Sequence, residues 1–457
     1  MTETPALAII LAAGKGTRMK SERPKVLHRL AGATLLAHVL EAAKAAGLGR
    51  LAVVIGPEMD EVGEAARALD PKLDVVVQAK QLGTADAVKA ARRAFEDFAG
   101  QVLILYGDTP LLRPDTIGKV RAELASGADL VVIGFETETP TGYGRLLLDE
   151  RGGLAAIREE KDATPEERAL KLCNSGIMGF RSGKTLLGLL GRIGNDNAKK
   201  EFYLTDAVAL ARGDRLEARM VKSDGEEVLG VNSRAELAEA EAHMQQRLRA
   251  EAMANGATLV APETVFLSHD TRIGKDVTIE PHVVIGERVT IEDGATVRAF
   301  CHIVGAQIGV GAVVGPFARL RPGASLAADA HVGNFVEIKQ AEIGEGAKVN
   351  HLTYIGDASV GAGANVGAGT ITCNYDGFDK HRTEIGAGAF IGSNSSLVAP
   401  VKIGKGAYVG SGSVISKDVA PDALALTRSA QEERPGWAAK IRERRKRKPD
   451  TGGNKRT

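Results

Sequence analysis

A glycine-rich turn with positive charge follows the first apolar run of the sequence. Residues 6–13 form this run, residues 14–16 read Gly-Lys-Gly, and Arg18 and Lys25 come next. Glycines directly after a buried strand let backbone N–H groups wrap phosphate oxygens, and the two cations would flank those phosphates. The spacing fits neither the dinucleotide fingerprint nor the P-loop. The turn therefore predicts a phosphate site of another kind, with a plain surface loop as the alternative.

Polar residues also stand at the ends of later predicted strands. Gln78, followed by Gly83 and Thr84, could hydrogen-bond the flat edge of a base. Asp108 ends another strand, where a carboxylate could hold Mg²⁺ against phosphates, although alone it could equally be a turn residue. Since ligands sit at the carboxyl ends of strands in a parallel sheet, these residues should meet at one edge. The same set includes Tyr106, Gly107, Gly142, Glu159, Asn174 and Asn232.

A second group of polar residues lies between residues 349 and 380. His351 stands two positions after Val349, one of a series of regularly spaced aliphatic residues, so its side chain should point away from the core. The series breaks after Val366, and residues 369–380 predict a polar loop. Because the spacing resumes beyond the loop, the break indicates an insertion on a binding face. A lone histidine is usually structural, but its position about one coil before this loop favours a catalytic role.

The elements that must position His351 follow from this series, which places an aliphatic residue at every sixth position, with one-residue slips before Ile308, Ile343 and Val360. Period six matches neither an α-helix nor a half-buried strand, and it predicts the hexapeptide repeats of a parallel β-helix. Each coil of about 18 residues can bury its aliphatic side chains only against stacked coils. The glycine that often follows the aliphatic residue suits a corner with unusual dihedral angles. A disordered glycine-rich tract would lack this regularity. The series comprises Leu267, Ile273, Ile279, Ile285, Ile291, Val297, Ile303, Ile308, Val314, Leu320, Leu326, Val332, Ile338, Ile343, Val349, Ile355, Val360, Val366, Ile385, Ile391, Leu397, Ile403, Val409 and Ile415.

The first half of the chain shows a different pattern, in which strands and helices alternate. Strands are predicted at residues 6–13, 51–55, 102–106 and 129–135, and helices at residues 35–46 and 84–95. This alternation predicts a Rossmann-like α/β fold, with a mainly parallel sheet covered on both faces.

A helix should connect the two patterns. Ser233 with Glu236 forms a predicted capping box, and Asn255-Gly256 is a stop signal. The chain is thus predicted to contain four segments: an α/β domain of residues 1–232, a linker helix of residues 233–256, a hexapeptide-repeat domain of residues 257–433 and a basic tail of residues 434–457.

Composition argues against several classes of protein. The net charge of +1 gives no general attraction to nucleic acid or membranes, and the basic run at residues 442–448 is expected to belong to a solvated tail. The sequence shows no signal-peptide pattern and no apolar run of roughly 18 residues. The three cysteines form neither a metal-ligand pattern nor a disulfide framework, so we expect a cytoplasmic protein.

Several of these motifs together resemble a known enzyme family. Residues 11–19 (LAAGKGTRM), Pro24-Lys25, the Gln-Leu-Gly-Thr of residues 81–84 and the Tyr-Gly-Asp of residues 106–108 look like those of sugar-1-phosphate nucleotidyltransferases. Joined to the hexapeptide repeat, they resemble the bifunctional bacterial N-acetylglucosamine-1-phosphate uridylyltransferases/glucosamine-1-phosphate N-acetyltransferases. The resemblance covers nearly the whole chain except the basic tail.

The resemblance implies two reactions and an assembly. The first domain would convert UTP and N-acetylglucosamine 1-phosphate into UDP-N-acetylglucosamine and pyrophosphate with Mg²⁺. The second would transfer the acetyl group of acetyl-CoA to glucosamine 1-phosphate. Members of the family form homotrimers with the acetyl-transfer site between subunits, and their coil is left-handed.

The resemblance also assigns roles in the first domain. Asp108 and Asn232 would ligate Mg²⁺, while Arg18 and Lys25 would hold the triphosphate and the charge that builds on it. Gln78, Gly83 and Thr84 would read uracil, and Gly142, Glu159 and Asn174 would hold the sugar. Leu11, Ala12, Ala13, Gly14, Tyr106 and Gly107 complete the implied nucleotide site. Ser175 departs from the family, which usually has Thr there, but both side chains are hydroxyls.

In the second domain, the position of His351 is that of the family's general base. Arg321, Lys339, Tyr354, Asn365 and Lys380 match residues that hold glucosamine 1-phosphate. Ala368, Asn374, Tyr375, Ser393, Ser411 and Arg428 match acetyl-CoA contacts, although the family often has Ala in place of Ser411.

Two alternatives remain at this point. In the first, the chain is a single-function nucleotidyltransferase whose β-helix is structural; such an enzyme would not need His351, residues 374–375 or Arg428. In the second, it is a non-catalytic binding module, which would need no carboxylate for a metal beside the phosphates.

Overall fold

The computed structural model describes residues 4–427 and 429–446 and divides the chain into two compact units, Met1–Thr290 and Ile291–Thr457. The strands of the first unit are β1 (Ala6–Leu11), β2 (Arg29–Leu30), β3 (Ala33–Thr34), β4 (Arg50–Ile55), β5 (Asp74–Val77), β6 (Gln101–Tyr106), β7 (Leu130–Glu136), β8 (Arg145–Leu148), β9 (Leu154–Arg158), β10 (Leu172–Phe180), β11 (Ala218–Lys222), β12 (Thr258–Leu259), β13 (Arg272–Ile273), β14 (Thr278–Ile279) and β15 (Val284–Ile285). Its helices are α1 (Leu35–Ala45), α2 (Asp60–Leu69), α3 (Thr84–Ala90), α4 (Arg92–Phe95), α5 (Pro114–Ala125), α6 (Pro165–Arg168), α7 (Gly183–Leu190), α8 (Asp206–Gly213) and α9 (Arg234–Ala254), with short 3₁₀ turns at Thr17–Met19, Lys25–Leu27, Gly225–Val228 and Pro262–Thr264.

A mainly parallel sheet forms the centre of the first unit, as the sequence predicted. Its strand order is β11-β7-β10-β6-β1-β4-β5, with β8 and β9 attached beside β10. β1 pairs in parallel with β4 and β6, whereas β10 runs antiparallel to its neighbours β6 and β7. Every residue of β1 is buried, since helices cover both faces of the sheet. The carboxyl ends of β1 and β6 therefore present the Gly14 turn and Asp108 at the same edge.

The helix α9 follows this sheet, and its start differs in detail from the expected capping box. The Ser233 hydroxyl accepts a 3.3 Å hydrogen bond from the Glu236 backbone N–H, as in such a box. The Glu236 carboxylate, however, accepts from the N–H of Asn232 at 2.7 Å rather than from that of Ser233. Glu236 therefore fixes the backbone of a predicted site residue. Ala240 and Met244 of α9 pack in an apolar cluster with Leu30, Leu35, Leu111 and Val231.

Short parallel strands build the second unit into coils. They are β16 (Thr290–Ile291, which begins at the last residue of the first unit), β17 (Thr296–Val297), β18 (His302–Ile303), β19 (Ala306–Ile308), β20 (Val313–Val314), β21 (Arg319–Leu320), β22 (Ala324–Leu326), β23 (His331–Asn334), β24 (Glu337–Ile343), β25 (Lys348–His351), β26 (Tyr354–Val360), β27 (Asn365–Val366), β28 (Ile371–Cys373), β29 (Thr383–Ile385), β30 (Phe390–Ile391), β31 (Ser396–Val398), β32 (Val401–Ile403), β33 (Tyr408–Val409), β34 (Val414–Ile415) and β35 (Leu424–Ala425). One wall stacks β17-β20-β23-β25-β27-β30-β33-β35, and Val314 lies against Val332, which lies against Val349. This is the predicted parallel β-helix.

The periodic aliphatic residues fill the interior of the coils. All of them are at least 96% buried except Ile273, which is half-buried. The stacking breaks register at the predicted insertion: Ala358 pairs with Thr383, 25 positions later, because residues 374–382 leave the wall as a loop. The prediction that the loop begins at residue 369 was wrong, because Ile371–Cys373 form β28 in the wall and Thr372 is buried.

The glycines that follow the aliphatic residues have a different role from the one predicted. Most of them have ordinary backbone angles, and the positive φ angles fall mainly elsewhere, for example on Phe317 and Phe335. A Cβ on Gly361 would lie 2.4 Å from the backbone N of Ala387 in the next coil. Many of these glycines are therefore required by the close approach of stacked backbones, and the expectation of unusual dihedral angles was wrong for them.

The described part of the basic tail forms a helix, α10 (Trp437–Lys446), whose residues as far as Arg444 are exposed. Within residues 4–427 and 429–446, no helix combines the length and the apolar character that a membrane crossing requires.

Candidate active sites

A cavity of about 370 Å³ opens at the carboxyl edge of the central sheet in the first unit. It brings together most residues of the predicted nucleotide site, because β1, β5 and β6 all end there. Its lining comprises Leu11, Ala12, Ala13, Gly14, Lys15, Lys25, Val26, Gln78, Gln81, Gly83, Thr84, Ala87, Tyr106, Asp108 and Glu201. Gly107 supports this edge from behind, since its N–H donates to the Leu11 carbonyl at 2.9 Å.

Lys25 joins the two residues that the resemblance assigns to Mg²⁺. Its Nζ donates to the Asp108 carboxylate and, at 2.8 Å, to Oδ1 of Asn232. The Lys25 side chain is only 10% exposed, so its ammonium is held at the back of the cavity. Gly16 permits this position, because a Cβ there would lie 2.7 Å from the Lys25 Cβ.

The backbone holds Asn232 beside Asp108 although the two are distant in sequence. The Val231 N–H donates to the Asp108 carbonyl at 2.8 Å, and the Asn232 N–H is held by Glu236. The Asn232 Nδ2 donates to the Gly230 carbonyl at 3.2 Å, which turns Oδ1 towards Lys25.

These two oxygens fit one hard cation. They converge on a single ammonium nitrogen, which shows that a positive centre can contact both. Within residues 4–427 and 429–446, no cluster of three or more His, Cys, Asp or Glu side chains forms a metal site. One carboxylate and one amide oxygen suit Mg²⁺, which keeps several waters and takes further oxygens from substrate phosphates.

The opposite end of the cavity carries the residues expected to read a base. Gln78 is buried, and its Nε2 donates to the Gly83 carbonyl at 3.2 Å and to Asp86 at 2.8 Å. Gly83 has a φ of 119°, and a Cβ there would lie 2.6 Å from the Phe202 carbonyl, so only glycine fits. The Thr84 hydroxyl accepts from the Leu204 N–H at 3.0 Å. These contacts fix the Gly83 backbone at the cavity wall.

The predicted sugar residues form a second group beside the cavity, and Tyr106 touches both. The Glu159 carboxylate accepts from the Thr205 hydroxyl at 3.2 Å, and burial raises the pKa of Glu159 although the nearby Lys199 opposes this. Asn174 is buried at a bulge of β10, where its Oδ1 accepts from the Gly176 N–H at 3.0 Å. A Cβ on Gly176 would lie 2.8 Å from the Tyr106 ring. Burial, with the charges of Glu159 and Asp108, raises the pKa of Tyr106, so its phenol stays neutral.

Two further predicted residues lie in the loops around this group. The Gly142 N–H donates to the Glu160 carboxylate at 2.6 Å. Arg18 lies on the 3₁₀ turn Thr17–Met19 after the glycine-rich loop, where it is exposed and outside the cavity lining.

In the second unit, His351 is exposed at the end of β25 and contacts a neighbour on the preceding coil. Its Nδ1 lies 2.7 Å from Oδ1 of Asn334, and the two residues are register partners on β25 and β23. An amide oxygen only accepts hydrogen bonds, so Nδ1 carries the proton and the lone pair of the imidazole lies on Nε2. Nε2 of this tautomer can act as a base.

Three of the residues expected to bind a phosphate are cations on adjacent coils. Lys339 and Lys380 approach each other closely, and the hydrogen bond with Lys339 and the charge of Lys339 lower the pKa of Lys380. Arg321 donates to the Glu337 carboxylate at 2.9 Å. A dianionic phosphate would relieve the repulsion between the two ammonium groups.

The remaining predicted residues line the same stretch of coils. Nδ2 of Asn374 donates to the Asp357 carboxylate and lies 3.4 Å from the Tyr354 hydroxyl. Ala368, Ser393 and Ser411 occupy equivalent corners of successive coils, since a Cβ on Gly367 would lie 2.6 Å from the Ser393 N and one on Gly392 2.4 Å from the Ser411 N. Asn365 on β27 is half-buried, Tyr375 in the loop is 59% exposed, and Arg428 lies outside the described residues.

Sequence reasoning missed several residues of both sites. Glu201 lines the first cavity, and Asn334, Glu337 and Asp357 contact predicted residues of the second. Asn334 stands 17 positions before its register partner His351, and Glu337 stands 17 positions before its register partner Tyr354. The coil offset could therefore have indicated both residues. No local motif marks Glu201.

Comparisons with known proteins cover both units. The MobA-like NTP transferase domain matches residues 8–170, and the bacterial transferase hexapeptide (six repeats) matches residues 270–305 and 382–417. The bifunctional protein GlmU of Azorhizobium caulinodans is 60% identical over 442 residues, covering 97% of this chain and 98% of the relative. GlmU of Agrobacterium fabrum is 56% identical over 444 residues, covering 97% and 98%. GlmU of Rhodopseudomonas palustris strain BisB5 is 57% identical over 453 residues, covering 99% and 100%.

Proposed function

The chain belongs to the family of the bifunctional protein GlmU, an enzyme of UDP-N-acetylglucosamine synthesis, and we propose that its uridylyl-transfer and acetyl-transfer reactions occur at the two sites described above. This assignment rests on one observation: the chain has two separate groups of polar residues, and each group suits a different reaction. Lys25 with Asp108 and Asn232 suits phosphoryl chemistry, and His351 with Asn334 suits proton abstraction.

In the first site, the phosphate oxygen of N-acetylglucosamine 1-phosphate attacks the α-phosphorus of UTP and pyrophosphate leaves. No protein nucleophile takes part, so the chain contributes position and charge. The Gly14 turn, Lys25 and Arg18 hold the triphosphate. Gln78, Gly83 and Thr84 hold uracil against the cavity wall, while Gly142, Glu159 and Asn174 hold the sugar; Leu11, Ala12, Ala13, Tyr106 and Gly107 complete the walls.

Asp108 and Asn232 hold Mg²⁺ in this proposal, and the ion supplies neutralisation of the phosphate charge. The contacts of Lys25 support this role, because its ammonium already compensates the Asp108 carboxylate where a cation is required. With Mg²⁺ bound to these oxygens, the Lys25 ammonium would be available to contact phosphate oxygens.

In the second site, the amine of glucosamine 1-phosphate attacks the thioester carbon of acetyl-CoA. His351 removes a proton from the amine through Nε2. The tetrahedral adduct then expels the CoA thiolate, which receives that proton from His351. Arg321, Lys339 and Lys380 hold the phosphate, with Tyr354 and Asn365 beside the sugar. Ala368, Asn374, Tyr375, Ser393, Ser411 and Arg428 hold acetyl-CoA.

A row of exposed apolar side chains supports a homotrimer. Phe300, Phe317 and Phe335 stack with ring centroids 4.8 and 5.2 Å apart and are 51%, 46% and 55% exposed. Leu352, which follows His351 directly, continues the row and is 63% exposed. Exposed apolar rows mark interaction sites. Two further copies covering this row would also enclose His351, and a closed cyclic trimer is a common symmetry.

The trimer has its own test. Light scattering should give three times the mass of the chain in solution. Phe335→Asp should lower that mass and remove acetyl transfer while uridylyl transfer persists; a monomeric wild-type protein with full acetyl transfer would refute the proposal.

Two further parts of the proposal concern organisation and location. We place the division between the two reactions at the linker helix, residues 233–256. The α/β domain precedes this helix, and the repeat domain of residues 257–433 follows it. The tail of residues 434–457 has no catalytic role in this proposal. Cys173, Cys301 and Cys373 form no disulfide bond, which supports a location in the reducing cytoplasm.

One assay tests the assignment of both reactions. The enzyme receives glucosamine 1-phosphate, acetyl-CoA, UTP and Mg²⁺, and formation of UDP-N-acetylglucosamine is followed. Omitting acetyl-CoA should stop the pathway, and supplying N-acetylglucosamine 1-phosphate should restore it. If no acetylated sugar phosphate forms, the chain is a single-function nucleotidyltransferase with a structural β-helix.

A further inference from the structure

Asn334 lies where it can set the protonation state of His351. The two residues end the neighbouring strands β23 and β25 and are paired in register, which brings their side chains together on the outside of the coils. The Nδ1 to Oδ1 distance of 2.7 Å is that of a well-formed hydrogen bond. Backbone bonds brace both ends of the pair, since the Leu352 N–H donates to the Asn334 carbonyl at 3.1 Å and the Thr353 hydroxyl donates to the His351 carbonyl at 2.7 Å.

The chemistry of acetyl transfer requires one of the two neutral tautomers of His351. A base needs a lone pair on the nitrogen that faces the amine, and imidazole has one such lone pair when neutral. If Nε2 carried the proton, it could only donate, and the amine would have to lose its proton to water. A hydrogen-bond acceptor at Nδ1 disfavours the Nε2–H tautomer, because it stabilises the proton on Nδ1.

The acceptor at Nδ1 is neutral. Asn334 is uncharged, so it contacts the ring without placing a negative charge beside it. On the paired strands β23, β25 and β27, the titratable residues besides His351 are Lys348 on β25 and its register partner His331 on β23. A neutral partner therefore orients the ring through the hydrogen bond alone.

We propose that Asn334 is a positioning residue that holds His351 in the Nδ1–H tautomer and so directs Nε2 to the amine. This rests on the proposed role of His351 as the base. Asn334 itself touches no reacting atom; its contribution is to keep the productive tautomer and ring orientation populated.

The test compares two variants at Asn334 with a control on the same coil. Asn334→Ala should lower the kcat of acetyl transfer roughly 10- to 100-fold, with the KM values for both substrates changed less than about 3-fold. Asn334→Asp keeps the acceptor and adds charge, so it should retain more activity and shift the acid limb of the pH profile to higher pH by about 1 unit. Asn350→Ala removes an amide next to His351 and should behave as wild type. Uridylyl transfer should stay unchanged in all three, and near-normal KM values for both acetyl-transfer substrates report that the repeat domain is folded.

A spectroscopic measurement on the full-length enzyme gives an independent readout. With ¹⁵N-labelled histidine, His351 should show a protonated Nδ1 and an unprotonated Nε2 in the wild type, assigned by the loss of its signals in His351→Ala. The Asn334→Ala variant should show a mixture of tautomers. A wild-type rate and pH profile in Asn334→Ala, or an Nε2–H signal in the wild type, would overturn the inference while leaving His351 in the site. Full acetyl transfer in His351→Ala would instead overturn the proposed base itself.

Discussion

The Nζ of Lys25 donates a 2.8 Å hydrogen bond to Oδ1 of Asn232, 207 positions further along the chain. The same ammonium contacts the Asp108 carboxylate, so one cation joins the turn after β1 to the ends of β6 and of the segment before α9. This arrangement holds together the two oxygens proposed to bind Mg²⁺, and the ammonium compensates the charge of the Asp108 carboxylate.

Lys25→Ala tests this role. Losing the ammonium removes a preorganised charge from the transition state, so the kcat of uridylyl transfer should fall about 10²- to 10³-fold. Acetyl transfer should be unchanged. Lys119→Ala, at an exposed position of α5, is the matched control and should retain both activities. Equal uridylyl transfer in the two variants would exclude Lys25 from the reaction.

Asp108→Asn tests the metal. The substitution keeps the shape of the side chain and removes its charge, which should weaken Mg²⁺ binding and require a higher Mg²⁺ concentration for half-maximal uridylyl transfer. Chelation should stop uridylyl transfer and leave acetyl transfer intact, since the residues proposed to hold Mg²⁺ lie only in the first site. A Mg²⁺ titration of both reactions measures this, and an unchanged titration curve for Asp108→Asn would remove Asp108 from the metal site.

The sequence allowed a prediction for residues whose place in the fold follows from the local pattern of strands and turns. Asp108 and Gly83 were predictable because each follows a strand, and a parallel sheet brings strand ends to one edge. The contact of Asn334 with His351 was harder to predict, because the offsets between stacked coils of the second unit are 16, 17, 18 or 25 residues and an error of one residue changes the partner. The role of Glu236 was missed for a related reason. The capping-box pattern predicted that its carboxylate accepts from the N–H of Ser233, whereas in the structure it accepts from the N–H of Asn232.

Glu159 should make uridylyl transfer sensitive to mild acid. Burial raises its pKa, so this carboxyl takes up a proton at a higher pH than an ordinary glutamate does. As pH falls through that raised pKa, the carboxylate proposed to accept a sugar hydroxyl is lost, and the KM for N-acetylglucosamine 1-phosphate should rise. Glu159→Gln should have a raised KM that no longer changes over this pH range. Parallel KM profiles of the two proteins would assign the titration to another group.

Lys380 should make acetyl transfer sensitive to mildly alkaline pH. The nearby charge of Lys339 lowers the pKa of Lys380, so its ammonium is lost at a lower pH than usual as pH rises. Phosphate binds the charged form, and therefore the KM for glucosamine 1-phosphate should rise on the alkaline side. Lys380→Arg keeps its charge at all working pH values and should reduce that rise. Because titration of the substrate amine is the same for both proteins, the ratio of their KM values isolates Lys380; a ratio independent of pH would contradict this role.

His351→Ala is the most direct test of the second site. An alkylammonium is a poor nucleophile, so amide formation needs a base, and histidine titrates nearest to neutral pH. The variant should lose about 10²- to 10⁴-fold in the kcat of acetyl transfer, the usual contribution of a positioned general base. The KM for acetyl-CoA should change little, because a base acts in the transition state. Raising the pH should restore part of the rate, since more of the substrate amine is then already deprotonated. Uridylyl transfer provides the internal control. If the variant acetylates at the wild-type rate at neutral pH, His351 is structural and the amine must be deprotonated by another group or by solvent.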